Sequence, residues 1–136
     1  MSCKSAIYTV NSTNTDVSTT AGTFVQVPLG SVIRRYGSSL RLDGGSILAI
    51  GGGYFKVDAS LSFTPTGAGP VSVQVRQDGM EVPGLTATAQ ATAGNPVAIP
   101  LAGLIRNCGR DCTSALTLWI DAPGNVTNLA VVVEKQ

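Results

Sequence analysis

The side chains that could do chemistry are three cysteines, eight carboxylates and many hydroxyls, and histidine is absent. Without histidine the usual general base at neutral pH is missing. The carboxylates Asp16, Asp43, Asp58, Asp78, Glu81, Asp111, Asp121 and Glu134 are spread along the chain, most of them in turn sequences where aspartate serves the backbone. No serine sits in a G-x-S-x-G elbow. Gly51-Gly52-Gly53 lacks the Lys-Ser/Thr of a phosphate loop and leads into a strand pattern rather than a helix. These absences assign no catalytic residue, and no enzyme is expected. Calcium needs several oxygen ligands at one place, and Asp43 and Asp111 are isolated. No cofactor is implied.

The cysteines allow two readings. Cys108 and Cys112 enclose Gly109-Arg110-Asp111, and Cys3 is remote from both. A zinc site wants four ligands, which this set does not supply, so no metal is expected. Cys108 and Cys112 are then free thiols or a pair that closes a loop. An odd cysteine also permits Cys3 to bond another subunit in an oxidising space. Asn11-Ser12-Thr13 and Asn125-Val126-Thr127 match the glycosylation acceptor pattern, but no signal region precedes them, and they read as turns.

The elements that must position these groups are strands. Phe55, Val57, Ala59, Leu61 and Phe63 alternate with Lys56, Asp58, Ser60, Ser62 and Thr64, the period-2 signature of a long strand with one buried face. Residues 65–70 break it. Val71, Val73 and Val75 then alternate with Ser72, Gln74 and Arg76, and Gln77-Asp78-Gly79 offers hairpin chemistry. At the C-terminus Leu116, Leu118 and Ile120 form one alternating set, and Leu129, Val131 and Val133 another, separated by Pro123-Gly124-Asn125. Weaker strand signals lie at 5–10, 23–27, 40–42 and 47–50; 29–35 reads as a strand or an irregular crossing. Residues 80–83 continue the hairpin, 84–93 are a Thr/Ala stretch of low information, and Pro100 shortens or distorts a strand around 97–101.

At 136 residues the chain suits one domain, residues 1–136, with a core that needs no metal. The apolar share is 43% but the aromatic share is 5%, so small β-branched residues must carry the core, which favours strands. No amphipathic helix spacing is present, and the fold class is all-β. The nine basic residues are scattered, with Arg34-Arg35 the one adjacent pair, so no nucleic-acid footprint forms. No apolar run is long enough for a spanning helix, and membrane insertion is not expected. The chain is expected to be made and folded in a cytoplasm. Tyr8, Trp119 and Val132 fall opposite the core positions of their strands, and 47–50 is apolar on both faces. An outer surface of that kind is expected to be buried against another subunit.

The opening Ser5-Ala6-Ile7-Tyr8 with Asn11, the Gly53-Tyr54-Phe55 entry into the long strand, Gln77-Asp78-Gly79 and the closing Ala130-Val131-Val132-Val133 together resemble the C1q/tumour-necrosis-factor-like superfamily. The resemblance is in particular to its small bacterial and phage versions of the BclA C-terminal type, and it covers almost the whole chain. It implies a jelly-roll β-sandwich of about ten short antiparallel strands that assembles as a homotrimer with one sheet facing the axis. The expected interface residues are Tyr8, Tyr54, Lys56, Asp58, Trp119 and Val132, with Lys56 and Asp58 pairing between subunits. The Gly-X-Y region that precedes this domain in C1q and BclA proteins is absent, and aromatic residues for the axis are sparse.

The function expected is structural. One possibility is a phage virion component made in the bacterial host cytoplasm, such as a capsid decoration, head fibre or fibre tip, which contacts other virion proteins or a cell-surface glycan receptor. The alternative is a spore-coat or exosporium trimer on the spore surface. A cytokine-like receptor ligand is a more distant third.

Overall fold

The computed structural model describes residues 4–108 and 112–136. Among these there are twelve strands and no helix. In chain order they are β1 (Ala6–Asn11), β2 (Thr15–Val17), β3 (Val25–Val27), β4 (Ser31–Tyr36), β5 (Leu40–Asp43) and β6 (Ser46–Ile50). Then come β7 (Gly53–Pro65), β8 (Gly69–Gln77), β9 (Met80–Ala91), β10 (Val97–Asn107), β11 (Thr113–Ile120) and β12 (Gly124–Lys135). Two antiparallel sheets form. The first runs β10-β7-β12-β1-β4 and the second β5-β6-β11-β8-β9. Those paths hold the ten strands that the resemblance implies; the three-residue β2 and β3 attach beside them, on β12 and β11.

The alternation seen in the long strand becomes its geometry. Phe55, Val57, Leu61 and Phe63 of β7 are fully buried, and they meet Val73, Leu118 and Ile120 of the second sheet in one core. Side chains of opposite parity point away from it, as the pleat requires. The chain crosses from the second sheet to the first at Gly51-Gly52-Gly53, where Gly51 and Gly53 have φ of 90° and 117°, a region closed to side chains with a Cβ. Asp78 and Gly79, with φ of 54° and 79°, make the primed turn that suits the twist of a two-residue hairpin.

Two stretches differ from the sequence reading. Residues 84–91 are not an uninformative connector but belong to the twelve-residue β9, whose Leu85 and Ala91 point into the core. Its alternation is hard to see because threonine and alanine differ little in polarity. Pro100 neither shortens nor distorts β10, which runs for eleven residues. That strand is the edge of the first sheet, so the missing N–H is not needed by a neighbour. At the opposite edge, 31–36 takes the strand alternative of the sequence reading, with a register shift against β1 at Ile33 and every residue exposed, including Val32, Ile33 and Tyr36. In the 47–50 stretch, Ile47 and Ala49 are buried while Leu48 and Ile50 are half-buried on the outer face of the second sheet.

One buried polar atom is left alone. Thr9 Oγ1, on the core side of β1, has no hydrogen-bond partner, which no other buried side-chain polar atom among the described residues shares. A desolvated hydroxyl without a partner costs about 1 kcal/mol or more. Thr9→Val, equal in shape, is therefore expected to raise stability by about 1 kcal/mol in urea unfolding at fixed protein concentration.

Candidate functional site

The register of the first sheet assembles most of the expected interface residues into one array. Tyr8 lies opposite Val132, Val132 opposite Asp58, and Asp58 opposite Ala102. The next row is Glu134, Lys56 and Leu104, followed by Tyr54 opposite Arg106. On the other side come Val10, Ala130, Ser60 and Pro100. All have the parity that points away from the core. Tyr54 and Leu104 are 53% and 55% exposed, high values for large apolar side chains. Between β7, β10 and β12 the face dips into an open concavity of about 510 Å³, lined among others by Asp58, Ser60, Pro100, Ala102, Ala130 and Val132.

The two charges expected to pair between subunits lie beside each other within one chain. Lys56 Nζ and Asp58 Oδ2 lie 3.7 Å apart within one chain, so each charge already has a partner before any second subunit arrives. Residues i and i+2 of a strand share a face, which brings the long lysine side chain to its neighbour. The pair is exposed and worth little to the fold. Glu134 beside Lys56 and Arg106 beside Tyr54 add one charge of each sign to the same face.

Trp119 is not part of this array. It belongs to β11 and lies on the outer face of the second sheet, on the far side of the sandwich. There its Nε1 donates to Thr117 Oγ1 at 2.8 Å, and the Arg76 guanidinium carbon sits 4.3 Å from its ring centre. Parity alone shows that a residue faces outward without showing from which sheet.

The cysteines resolve into the loop-closing reading. Cys108 and Cys112, at the β10–β11 connection, form a disulfide with Cα atoms 6.0 Å apart. Cys3 lies outside the described residues. Among the described residues no group of three His, Cys, Asp or Glu side chains is placed to hold a metal ion, and no helix is long and apolar enough to cross a membrane. Asn11 is buried: its amide donates to Pro28 O at 3.0 Å and Thr15 Oγ1 at 3.2 Å, while its carbonyl accepts from the Thr13 amide and hydroxyl. It is a turn-fixing residue with no atom to spare for a glycan. Asn125 donates to Asp16 Oδ1 at 2.7 Å and holds β12 against β2.

Two constellations escaped the sequence reading. The first is Asn107 at the end of β10, with its buried side chain joined to Gln77 and Ser114. A polar residue two positions beyond Ile105, at inward parity, was the available signal. The second is the stack of Arg76 on Trp119 and Phe24, which no spacing rule reveals because the three residues come from separate strands and a loop.

No protein-family model matches the chain, and no curated protein is similar to it in sequence. Solved structures are similar in shape. Murine APRIL at pH 5.0 superposes with a TM-score of 0.75 at 12% identity, over 98% of this chain and 99% of that one. The globular domain of zebrafish complement 1qA gives 0.64 at 7% identity, over 95% and 94%. The PRD1 vertex protein P5 gives 0.63 at 11% identity, over 97% of this chain and 72% of that one. The architecture is therefore the jelly roll of the tumour-necrosis-factor and C1q type. At these identities the likeness is one of fold.

Proposed function

We propose that the protein is a non-enzymatic structural or display module that works as a homotrimer, with the outward face of the first sheet turned toward the three-fold axis. The observation that carries this reading is the composition of that face. Tyr8, Val10, Tyr54, Pro100, Ala102, Leu104, Ala130 and Val132 stand where an antiparallel sheet in permanent contact with water alternates to polar residues. The Lys56–Asp58 pair adds no net charge to be buried with them. An apolar surface of this extent, interrupted by Lys56, Asp58 and Glu134, marks association.

The place proposed for the trimer is a virion, as a capsid decoration, head fibre or fibre tip that contacts other particle proteins or a cell-surface receptor. The presence of a vertex protein among structures of the same shape supports that placement. Sedimentation equilibrium at micromolar concentration is expected to give three times the 13.9 kDa of the subunit, and mass spectrometry of purified particles from a phage carrying the gene is expected to find the chain. A 13.9 kDa species would remove the trimer. Recovery of the chain from purified spores instead of particles would replace the virion by the spore surface.

A further inference from the structure

Burying the first sheet at a trimer axis leaves the second sheet as the outward surface, and that surface holds one preorganised cation. Arg76 of β8 lies with its guanidinium carbon 4.3 Å from the Trp119 ring centre and 5.2 Å from that of Phe24. The Trp119 ring is itself held by its bond to Thr117. Arg76 Nε donates to the Oε1 of Gln74, a residue only 4% exposed, whose amide in turn reaches Thr86 Oγ1 at 3.4 Å. Two rings and a buried amide thus set the plane of the guanidinium and use one of its three nitrogens.

No carboxylate answers it. Glu81 is its cross-strand neighbour yet forms no ion pair with it, and Lys56–Asp58 is the one ion pair among the described residues. Asp121, at the end of the same face, is engaged by the Ser72 amide at 2.7 Å. The next described cation on this face, Arg41 of β5, is three strands away along the sheet. A fixed guanidinium with its fork open recognises a planar carboxylate by two parallel hydrogen bonds. A solitary cation suits a singly charged group rather than a phosphate or sulfate chain, which needs several.

We propose that Arg76, framed by Trp119 and Phe24, binds the carboxylate of an acidic sugar on a surface glycan. The proposal deepens the display reading above and rests on its outward-facing second sheet. The surroundings choose sugar over peptide. Ser72 and Thr88, bonded to each other at 2.8 Å, and Thr86 and Thr117, each accepting one bond, keep neutral hydroxyl capacity on the outer face suited to a sugar, whereas a peptide would pair with the free edge of β9 rather than lie across this face.

Trp119 is the sole tryptophan, so its emission reports this site alone. Titration of the full-length protein with sialyllactose is expected to give a saturable emission change with a Kd of roughly 1 mM, as for one weak monovalent contact, and none with neutral lactose. By calorimetry Arg76→Gln is expected to weaken binding about tenfold or more, and Arg76→Lys by less, since the charge stays while the fork is lost. Circular dichroism and sedimentation of both variants are expected to match the parent protein. Lack of a saturable change, an equal response to lactose, undiminished binding by Arg76→Gln, or tighter binding of a triglutamate peptide would each overturn the assignment. A sedimentation result of one subunit would instead strike the trimer and leave the sugar titration to stand by itself.

Discussion

Replacing Asn107 by alanine is expected to lower the unfolding free energy by about 3 kcal/mol, the range in which a buried polar network loses its centre. Asn107 is 3% exposed and uses its amide twice, donating to Ala49 O at 2.8 Å and Gly51 O at 2.9 Å. Both carbonyls belong to the end of β6 and the glycine crossing that follows, so one side chain from the first sheet fixes the end of an inner strand of the second. Its Oδ1 accepts from Gln77 Nε2 at 3.3 Å and from the Ser114 hydroxyl, and Gln77 also donates to Ser114 Oγ at 2.8 Å. Alanine would strand these groups away from water, which costs more than the bonds themselves contribute. Asn107→Asp is expected to be worse, because a carboxylate cannot donate to two carbonyls and brings a charge into a buried place. Ser114→Ala, which leaves both Asn107 donors in place, is expected to cost about 1 kcal/mol. Urea unfolding of the three variants at one protein concentration checks the order. Equal, small losses for all three would mean that water already satisfies these groups.

The same network shows what could and could not be seen in the chain. Strong alternation made β7, β8, β11 and β12 legible, since Phe55 to Phe63 or Leu116 to Ile120 can bury one face only as strands. β9 was illegible because its alternation is written in threonine and alanine, where the contrast in hydrophobicity is small. β10 was read as broken at Pro100 because a sequence does not say that the strand will be an edge. For the candidate site the limit was of another kind. Parity placed Tyr8, Lys56, Asp58, Trp119 and Val132 on outer faces, but their membership of one face or two depends on which strands become neighbours. β1, β12 and β7 are adjacent although they come from the two ends and the middle of the chain. That is a property of the tertiary pairing, and it separates Trp119 from the other four.

Val132→Lys is expected to turn the trimer into a folded monomer. Val132 sits on β12, the central strand of the first sheet, between Tyr8 and Asp58 and on the wall of the concavity. Its side chain points away from the core, so lysine there can reach solvent in a lone subunit, and circular dichroism should keep its β spectrum. In the proposed assembly the same substitution buries three ammonium groups around one axis. Lys56 already occupies Asp58, and Glu134, two residues on along the same strand, is the one carboxylate left within reach; pairing with it would still take both charges out of water. Taking each added charge out of water costs several kcal/mol even when it is paired; about 3 kcal/mol per subunit is over a hundredfold in association, and the three like charges also repel one another. Sedimentation should therefore move from three subunits to one at micromolar protein. Gln90→Lys supplies the comparison: it puts the same charge on the exposed side of β9, in the second sheet, where no self-association is proposed. Loss of the trimer in Val132→Lys and its survival in Gln90→Lys would locate the contact on the first sheet. Survival in both, or loss in Gln90→Lys alone, would move the axis to another face and take with it the outward position that the Arg76 site requires.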